Sequence, residues 1–192
     1  PQLWNVLVGE MSLVGPRPEH LEVLGDKLSA RRVAEAAGVP VSPGGPAASG
    51  EEALVLAGCI GYPVLVKAAF GGGGRGMKLV HTPADLMAAW ELASSEAAAS
   101  FGDGTVFIER FVQNAKHVEV QVLADQHGHC IHLGERECSV QYRYQKMIEE
   151  APCTALTPQA RERLHAHALR IADEIGYVSL GTVEFLYDVE RD

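Results

Sequence analysis

Four consecutive glycines, Gly71 to Gly74, followed by Arg75 and Gly76, stand between two apolar runs, with Lys67 just before them. Without Cβ atoms, successive backbone N–H groups can turn toward a phosphate and approach it closely. A flexible linker is the alternative, but a linker is not framed this tightly by apolar runs. No Gly-Lys pair followed by Ser or Thr comes next and no helix opens there, so this is neither a Walker A loop nor a dinucleotide fingerprint. Lys67 lies inside PVLVKAA (63–69). An unpaired charge in such a run is costly. Lys67 is therefore paired, faces a cleft where it neutralises phosphate oxygens, or snorkels at a strand edge. Lys27 opens a helical stretch, where the dipole favours acids. A bound anion would account for a cation there, and so would simple solvation.

Carboxylates supply the complementary chemistry. Glu109 ends an apolar strand and precedes Arg110, Phe111 and Val112. Its carboxylate could accept from ribose hydroxyls or an adenine amino group, and the backbone beyond it could read the adenine edge; taken alone it is a surface glutamate. Glu184 sits mid-strand between Val183 and Phe185. There it is either a buried carboxylate, paired or holding Mg²⁺ through oxygen, or a residue on the wet face of an antiparallel strand. The polar stretch 135–150 carries Gln141, Arg143, Gln145 and Lys146, which could line an anionic site or form a solvated loop. His117, Glu119 and Gln121 share one strand face without zinc-like spacing.

These residues belong to a chain of 192 with 47% apolar, 21% charged and 6% aromatic residues and a net charge of −9. The length suggests one domain with a real core. The charge argues against a nucleic-acid or anionic-membrane partner, since both need a broad basic surface. A small anion needs only a few cations and amides in one place. The cysteines, Cys59, Cys130, Cys138 and Cys153, have no CxxC spacing and read as reduced thiols of a cytoplasm. The most apolar stretch, 53–66, is interrupted by Gly58, Gly61 and Pro63 and is too short to span a bilayer. No signal peptide is evident.

The elements that must position the site follow from periodicity. Residues 25–38 read as a helix with Asp26 as N-cap and Gly38 as stop. Residues 40–50 read as loop and 51–60 as a short helix. PVLVKAA and Met77–Val80 read as hairpin strands around the glycines. Thr82-Pro83 and Thr157-Pro158 open helices by the same capping chemistry. The first carries Leu86, Trp90, Ala93 and Ala97, and the second Leu164, Ala168, Ile171 and Ile175. Residues 105–110, 117–125, 130–136 and 180–188 read as strands; Val118, Val120 and Val122 alternate with a polar face. Antiparallel hairpins among separate helices indicate the α+β class.

In this order the blocks resemble the ATP-grasp domain of biotin carboxylases. They are GDKLSA (25–30), AGVPVSPG (37–44), GYPVLVKAAFGGGGRGMKLV (61–80), FIERFV (107–112), KHVEVQVLAD (116–125), GERECSVQ (134–141), YQKMIEEAP (144–152) and GTVEFLY (181–187). The resemblance implies an incomplete ATP-grasp fold, a lid subdomain over about 40–111 plus part of the C-terminal subdomain, within a domain at 25–192. It implies an ATP-dependent ligase in the parent family: MgATP (or MnATP) phosphorylates bicarbonate to carboxyphosphate, and the released CO₂ carboxylates biotin on a carrier domain that serves a carboxyltransferase. Carried over by motif, Lys27, Lys67 and His117 contact ATP. Gly73 and Gly74 cover its phosphates, and Glu109, Arg110, Phe111 and Val112 hold adenine and ribose. Lys146 binds bicarbonate as the catalytic lysine and Glu184 ligates the metal. The implied compartment is cytoplasm, or mitochondrial matrix for a eukaryotic parent.

Some features depart from the family. Tyr144 stands where some members carry a nucleotide-contacting histidine. The family's second metal carboxylate, an asparagine, a catalytic arginine and the general-base glutamate would all follow Asp192, so the segment alone is expected to be inactive. Residues 1–20 resemble part of a bacterial polyprenyl-phosphate sugar-phosphate transferase around GPRP, which sets 1–24 apart as a segment of chimeric character. Three other readings stay open: a carbamoyl-phosphate synthetase-like ligase, a non-catalytic nucleotide-binding module, and a membrane-associated sugar-phosphate transferase.

Overall fold

The computed structural model describes residues 15–69, 77–142 and 145–190. Two compact units emerge. One comprises 25–29 and 41–111; the other comprises the described parts of 1–24, 30–40 and 112–192. Helix α1 (Pro18–Gly25) and helix α2 (Lys27–Ala36) come first. Asp26 caps α2, accepting from the Ser29 amide at 2.9 Å. Gly38 ends it in a left-handed turn, φ 66°, with the Val39 N–H reaching the Ala34 carbonyl at 2.8 Å, the αL stop that glycine favours.

The unit at 41–111 contains β1 (Gly44–Ala47), α3 (Gly50–Ile60), β2 (Val64–Ala68), β3 (Lys78–Val80), α4 (Pro83–Phe101) and β4 (Val106–Arg110). Its sheet is antiparallel in the order β1-β4-β2-β3. Strand alternation sends Val64, Val66, Val106 and Ile108 to one face, where they pack with Ala53 and Ala57 of α3 and Leu86 and Ala93 of α4. Leu86 is fully enclosed. Leu86→Ala should therefore cost about 2–5 kcal/mol in chemical denaturation, transfer and cavity terms together. The opposite sheet face carries Leu65, Lys67, Phe107 and Glu109.

Two expectations are corrected in this unit. Residues 40–50 are not all loop: Gly44–Ala47 pairs with β4, Gly44 opposite Glu109. A Cβ on Gly44 would stand 2.6 Å from the Ile108 carbonyl oxygen, so only glycine permits that approach. Thr82 precedes α4, but its hydroxyl donates to Asp85 Oδ2 at 2.6 Å and makes no backbone cap. Thr157 does cap, accepting from the Ala160 amide at 3.1 Å.

The other unit holds β5 (Lys116–Ala124), β6 (Cys130–Tyr142), β7 (Gln145–Glu150), α5 (Pro158–Glu174) and β8 (Ser179–Tyr187), its sheet ordered β7-β6-β5-β8. Val118, Val120 and Val122 face α5, against Ala160, Leu164 and Ala168. The loop reading of 135–150 gives way to strands: β6 runs to Tyr142 and β7 returns from Gln145, pairing Gln141 with Lys146. Charged side chains on a pleated surface hid that hairpin. No helix among the described residues is long and apolar enough to cross a membrane.

Candidate functional site

In the unit at 41–111, Lys67 lies directly opposite Phe107, and Glu109 is their diagonal neighbour on the same face. Lys67 Nζ donates to Glu109 Oε1 at 2.6 Å, with only 15% and 16% of the two side chains exposed. Lys27, carried by the first turn of α2, donates to the Ala68 carbonyl at 3.4 Å. Burial holds the Lys27 ammonium below its usual value. The Lys67 charge adds to that, and Glu109 opposes it. Two ammonium groups thus share one carboxylate, and the cluster is left net positive. That is the electrostatic requirement for an oligophosphate.

At the end of β4 the Arg110 amide donates to the Pro43 carbonyl at 2.9 Å and the Phe111 amide to the Pro63 carbonyl at 3.1 Å. These two amides are not available to a base edge. Val112, the next residue, falls in the other unit. Gly73 and Gly74 lie outside the described residues, as do Arg143 and Tyr144.

The second cluster lies on the face of the other sheet turned away from α5. Glu119 stands opposite both Glu184 on β8 and Arg136 on β6. Lys146 on β7 donates to Glu119 and to Glu184. Arg136 donates to Glu119 from Nε at 2.7 Å and from Nη2, and to Gln121 Oε1 at 3.1 Å. Of the two carboxylates, Glu119 is buried, while the Glu184 side chain is 66% exposed. Glu184 thus takes the wet-face alternative, because β8 turns its even-numbered residues outward. Glu119 is buried although it belongs to the polar face of β5: cations from two other strands close over it. Burial pushes the Glu119 carboxyl up, but the hydrogen bonds from Lys146 and Arg136 outweigh it and leave it below its usual value. Burial likewise lowers the Lys146 ammonium, and its bonds to Glu119 and Glu184 overcome that and raise it. His117 is exposed on the same face, two residues from Glu119, its backbone N–H donating to Ser139 Oγ at 3.1 Å.

Glu119 and Arg136 are the members sequence reasoning did not single out for a role. Their signal was present only as charge alternation along β5 and β6. Glu119, Cys138 and Glu149 bring ligand atoms within 4.8 Å of one another. Two cations already satisfy Glu119, and burial pushes the Cys138 thiol up to about 11, so this trio does not suit a hard divalent ion. The chemistry of Glu184 does suit one, as an exposed oxygen donor.

Residues 26–192 match the family described as "Carbamoyl-phosphate synthase L chain, ATP binding domain". The chain belongs to this family. Its fold is a partial ATP-grasp domain of mixed helix and sheet. It is 49% identical over 180 residues to chloroplastic biotin carboxylase 1 of Populus trichocarpa, covering 93% of this chain and 34% of that protein. It is 49% identical over 177 residues to mitochondrial pyruvate carboxylase of Mus musculus, covering 91% of this chain and 15% of that one. Among solved structures, a biotin carboxylase–βγ-ATP complex from Campylobacter jejuni superposes with TM-score 0.88 at 50% identity, covering 93% of this chain and 41% of that one. The biotin carboxylase domain of Hydrogenobacter thermophilus 2-oxoglutarate carboxylase, in complex with MgADP, ADP and bicarbonate, gives TM-score 0.87 at 45% identity and covers 93% and 40%. The chain spans about a third or less of the curated relatives' length. These relatives are ATP-dependent ligases. Residues 1–45 also match a family described as "Bacterial sugar transferase". That is under a quarter of the chain, and it overlaps the first match.

Proposed function

We propose that this chain is the nucleotide-binding part of a biotin carboxylase, which uses MgATP and bicarbonate to carboxylate biotin on a carrier domain that passes it to a carboxyltransferase. The observation that carries the reading is the net-positive Lys27–Lys67–Glu109 cluster. Its charges are carried by three elements, α2, β2 and β4, and the Lys67–Glu109 pair is largely shielded from bulk water. In this reading Lys27 and Lys67 take phosphate oxygens, and Gly73 and Gly74 supply amides above them. Glu109, Arg110, Phe111 and Val112 hold the adenosine, and His117 contacts the nucleotide. Cations near the transferring group act by positioning and by spreading its charge.

Lys146 is the residue for bicarbonate. Its ammonium stays protonated between Glu119 and Glu184, so it offers a fixed positive charge and no base. Arg136 holds Glu119, and through it Lys146, in place. Mg²⁺ or Mn²⁺ fits Glu184, an exposed carboxylate with hard oxygen donors and a single cationic partner among the described residues. When bound, the ion would neutralise phosphate charge. A soluble compartment with reduced thiols, cytoplasm or mitochondrial matrix, goes with this reading; all four cysteines are free.

Isothermal titration of the 192-residue chain with Mg·AMP-PNP tests the proposal. Saturable binding that ATP displaces and GTP does not is the expected result. A folded chain that takes up no heat at millimolar nucleotide overturns it. The matched family's own description favours a second reading, a carbamoyl-phosphate synthase-type ligase. Bicarbonate-dependent ATPase activity of the full-length protein that biotin fails to stimulate would select it.

A further inference from the structure

The Lys67 ammonium has a second partner that no nucleotide contact explains. Its Nζ stands 5.6 Å from the centroid of the Phe107 ring, within the range at which a ring face attracts a cation. Phe107 is 4% exposed although it lies on the sheet face away from the helices. Pro46 of β1 stands in register on one side of it and Lys67 of β2 on the other. The strands thus set a row, Pro46–Phe107–Lys67, beside the row Gly44–Glu109–Leu65. Gly44 keeps β1 tight against Glu109, since any Cβ there would meet the Glu109 Cβ at 2.9 Å.

We infer that Phe107 is a positioning residue for phosphate binding: its ring, with Glu109, holds the Lys67 ammonium at a fixed place on the sheet before any anion arrives. The inference rests on the nucleotide reading above and extends it to a residue outside the nucleotide's own contacts. A long lysine side chain gives up rotamer freedom when it is immobilised. A lysine already clamped by a ring and a carboxylate has lost that freedom in the free protein, so less is lost on binding. Glu109 alone would draw the ammonium toward itself. The ring supplies attraction from a different direction and carries no charge that repels phosphate.

The test compares Phe107→Leu and Phe107→Tyr, each alone and with Lys67→Ala, by titration with Mg·AMP-PNP. Leucine keeps apolar bulk without the ring quadrupole; tyrosine keeps the ring. The expected result is that Phe107→Leu weakens binding about threefold to tenfold and Phe107→Tyr binds within about twofold of the wild type. Phe107→Leu should add nothing in the Lys67→Ala background, because its effect passes through that lysine. Wild-type binding by Phe107→Leu, or an equal loss with and without Lys67, overturns the inference and leaves the nucleotide reading standing. Unchanged binding by Lys67→Ala overturns the inference and with it the phosphate role of Lys67, whereas no binding by the wild type overturns the nucleotide reading itself. If Phe107→Leu does not fold, NMR of the wild type decides. The Lys67 ε-methylene protons should show an upfield ring-current shift that the Lys78 ε-methylene protons lack. Equal shifts for the two lysines count against the clamp.

Discussion

Lys67→Ala weakens Mg·AMP-PNP binding about 10- to 100-fold, while Lys78→Ala changes it by less than about twofold. Both lysines belong to the same hairpin, but their surroundings differ. Lys67 is largely enclosed and meets one carboxylate. Lys78 pairs with Glu96 at 3.2 Å on the surface, where water screens it. A charge-assisted hydrogen bond to phosphate from an enclosed ammonium is worth about 1.5–3 kcal/mol, which sets the range. Removing Lys67 has a second consequence. Glu109 is left without its counter-ion on a face meant for an anion, and it then repels phosphate. Adding Glu109→Gln to Lys67→Ala should therefore recover part of the lost affinity, although neither substitution restores a cation. Calorimetric titration of the three variants measures all of this in one series, with thermal melting as a check that each folds.

The legibility of this site in the sequence divides along physical lines. Lys67 could be read because its contrast is local: one charge in an apolar strand beside a glycine run. The helices at 27–36 and 158–174 could be read because caps and stops are encoded within a few residues of the ends. β1 could not, since Gly44, Gly45 and Pro46 have no strand propensity. They form a strand because β4 offers a partner and Gly44 tolerates the close approach, and tertiary pairing overrides propensity. Glu119 was visible as a polar residue but not as a buried one. Its cations come from Arg136, 17 residues on, and Lys146, 27 residues on, and no window of sequence shows that they converge. Glu184 was evenly balanced between pairing and exposure in the sequence, and the structure gives it both, paired with Lys146 on an open face. Burial is a property of the sheet's far side, and alternation alone does not say which carboxylates another strand will cover.

The largest stability effect in the unit built on β5 to β8 is expected at a group that sequence reasoning passed over. Glu135→Gln should destabilise that unit by about 2–4 kcal/mol near neutral pH. The Glu135 side chain is 2% exposed. It accepts from Arg161 Nε at 2.8 Å and from the Cys153 amide at 3.2 Å, and lies 2.7 Å from His165 Nε2. One carboxylate thereby ties helix α5, strand β6 and the segment before α5 together. Glutamine keeps the shape, but it turns an amide N–H₂ toward donors and removes the charge Arg161 needs. Arg161 is partly exposed and can rehydrate, which keeps the cost below that of a fully enclosed pair. The pH dependence identifies the cause. Burial pushes the Glu135 carboxyl up, but the Arg161 and His165 hydrogen bonds outweigh that and hold it below its ordinary value of 4.5. The unfolded chain therefore binds the proton first as pH falls. The stabilisation is complete well above 4.5 and disappears as pH drops through that region. The gap between wild type and Glu135→Gln in urea denaturation should be widest near neutrality and close in acid. His132, stacked on His165 with centroids 4.0 Å apart, adds an earlier slope. Burial and then the His165 charge hold it below 6.5, so the wild type begins to lose stability below about that pH. His132→Phe should make this upper slope shallower, His167 supplying the rest, and leave the lower one, to which Glu135 contributes together with other carboxylates held below their usual values, Glu119 and Glu137 among them.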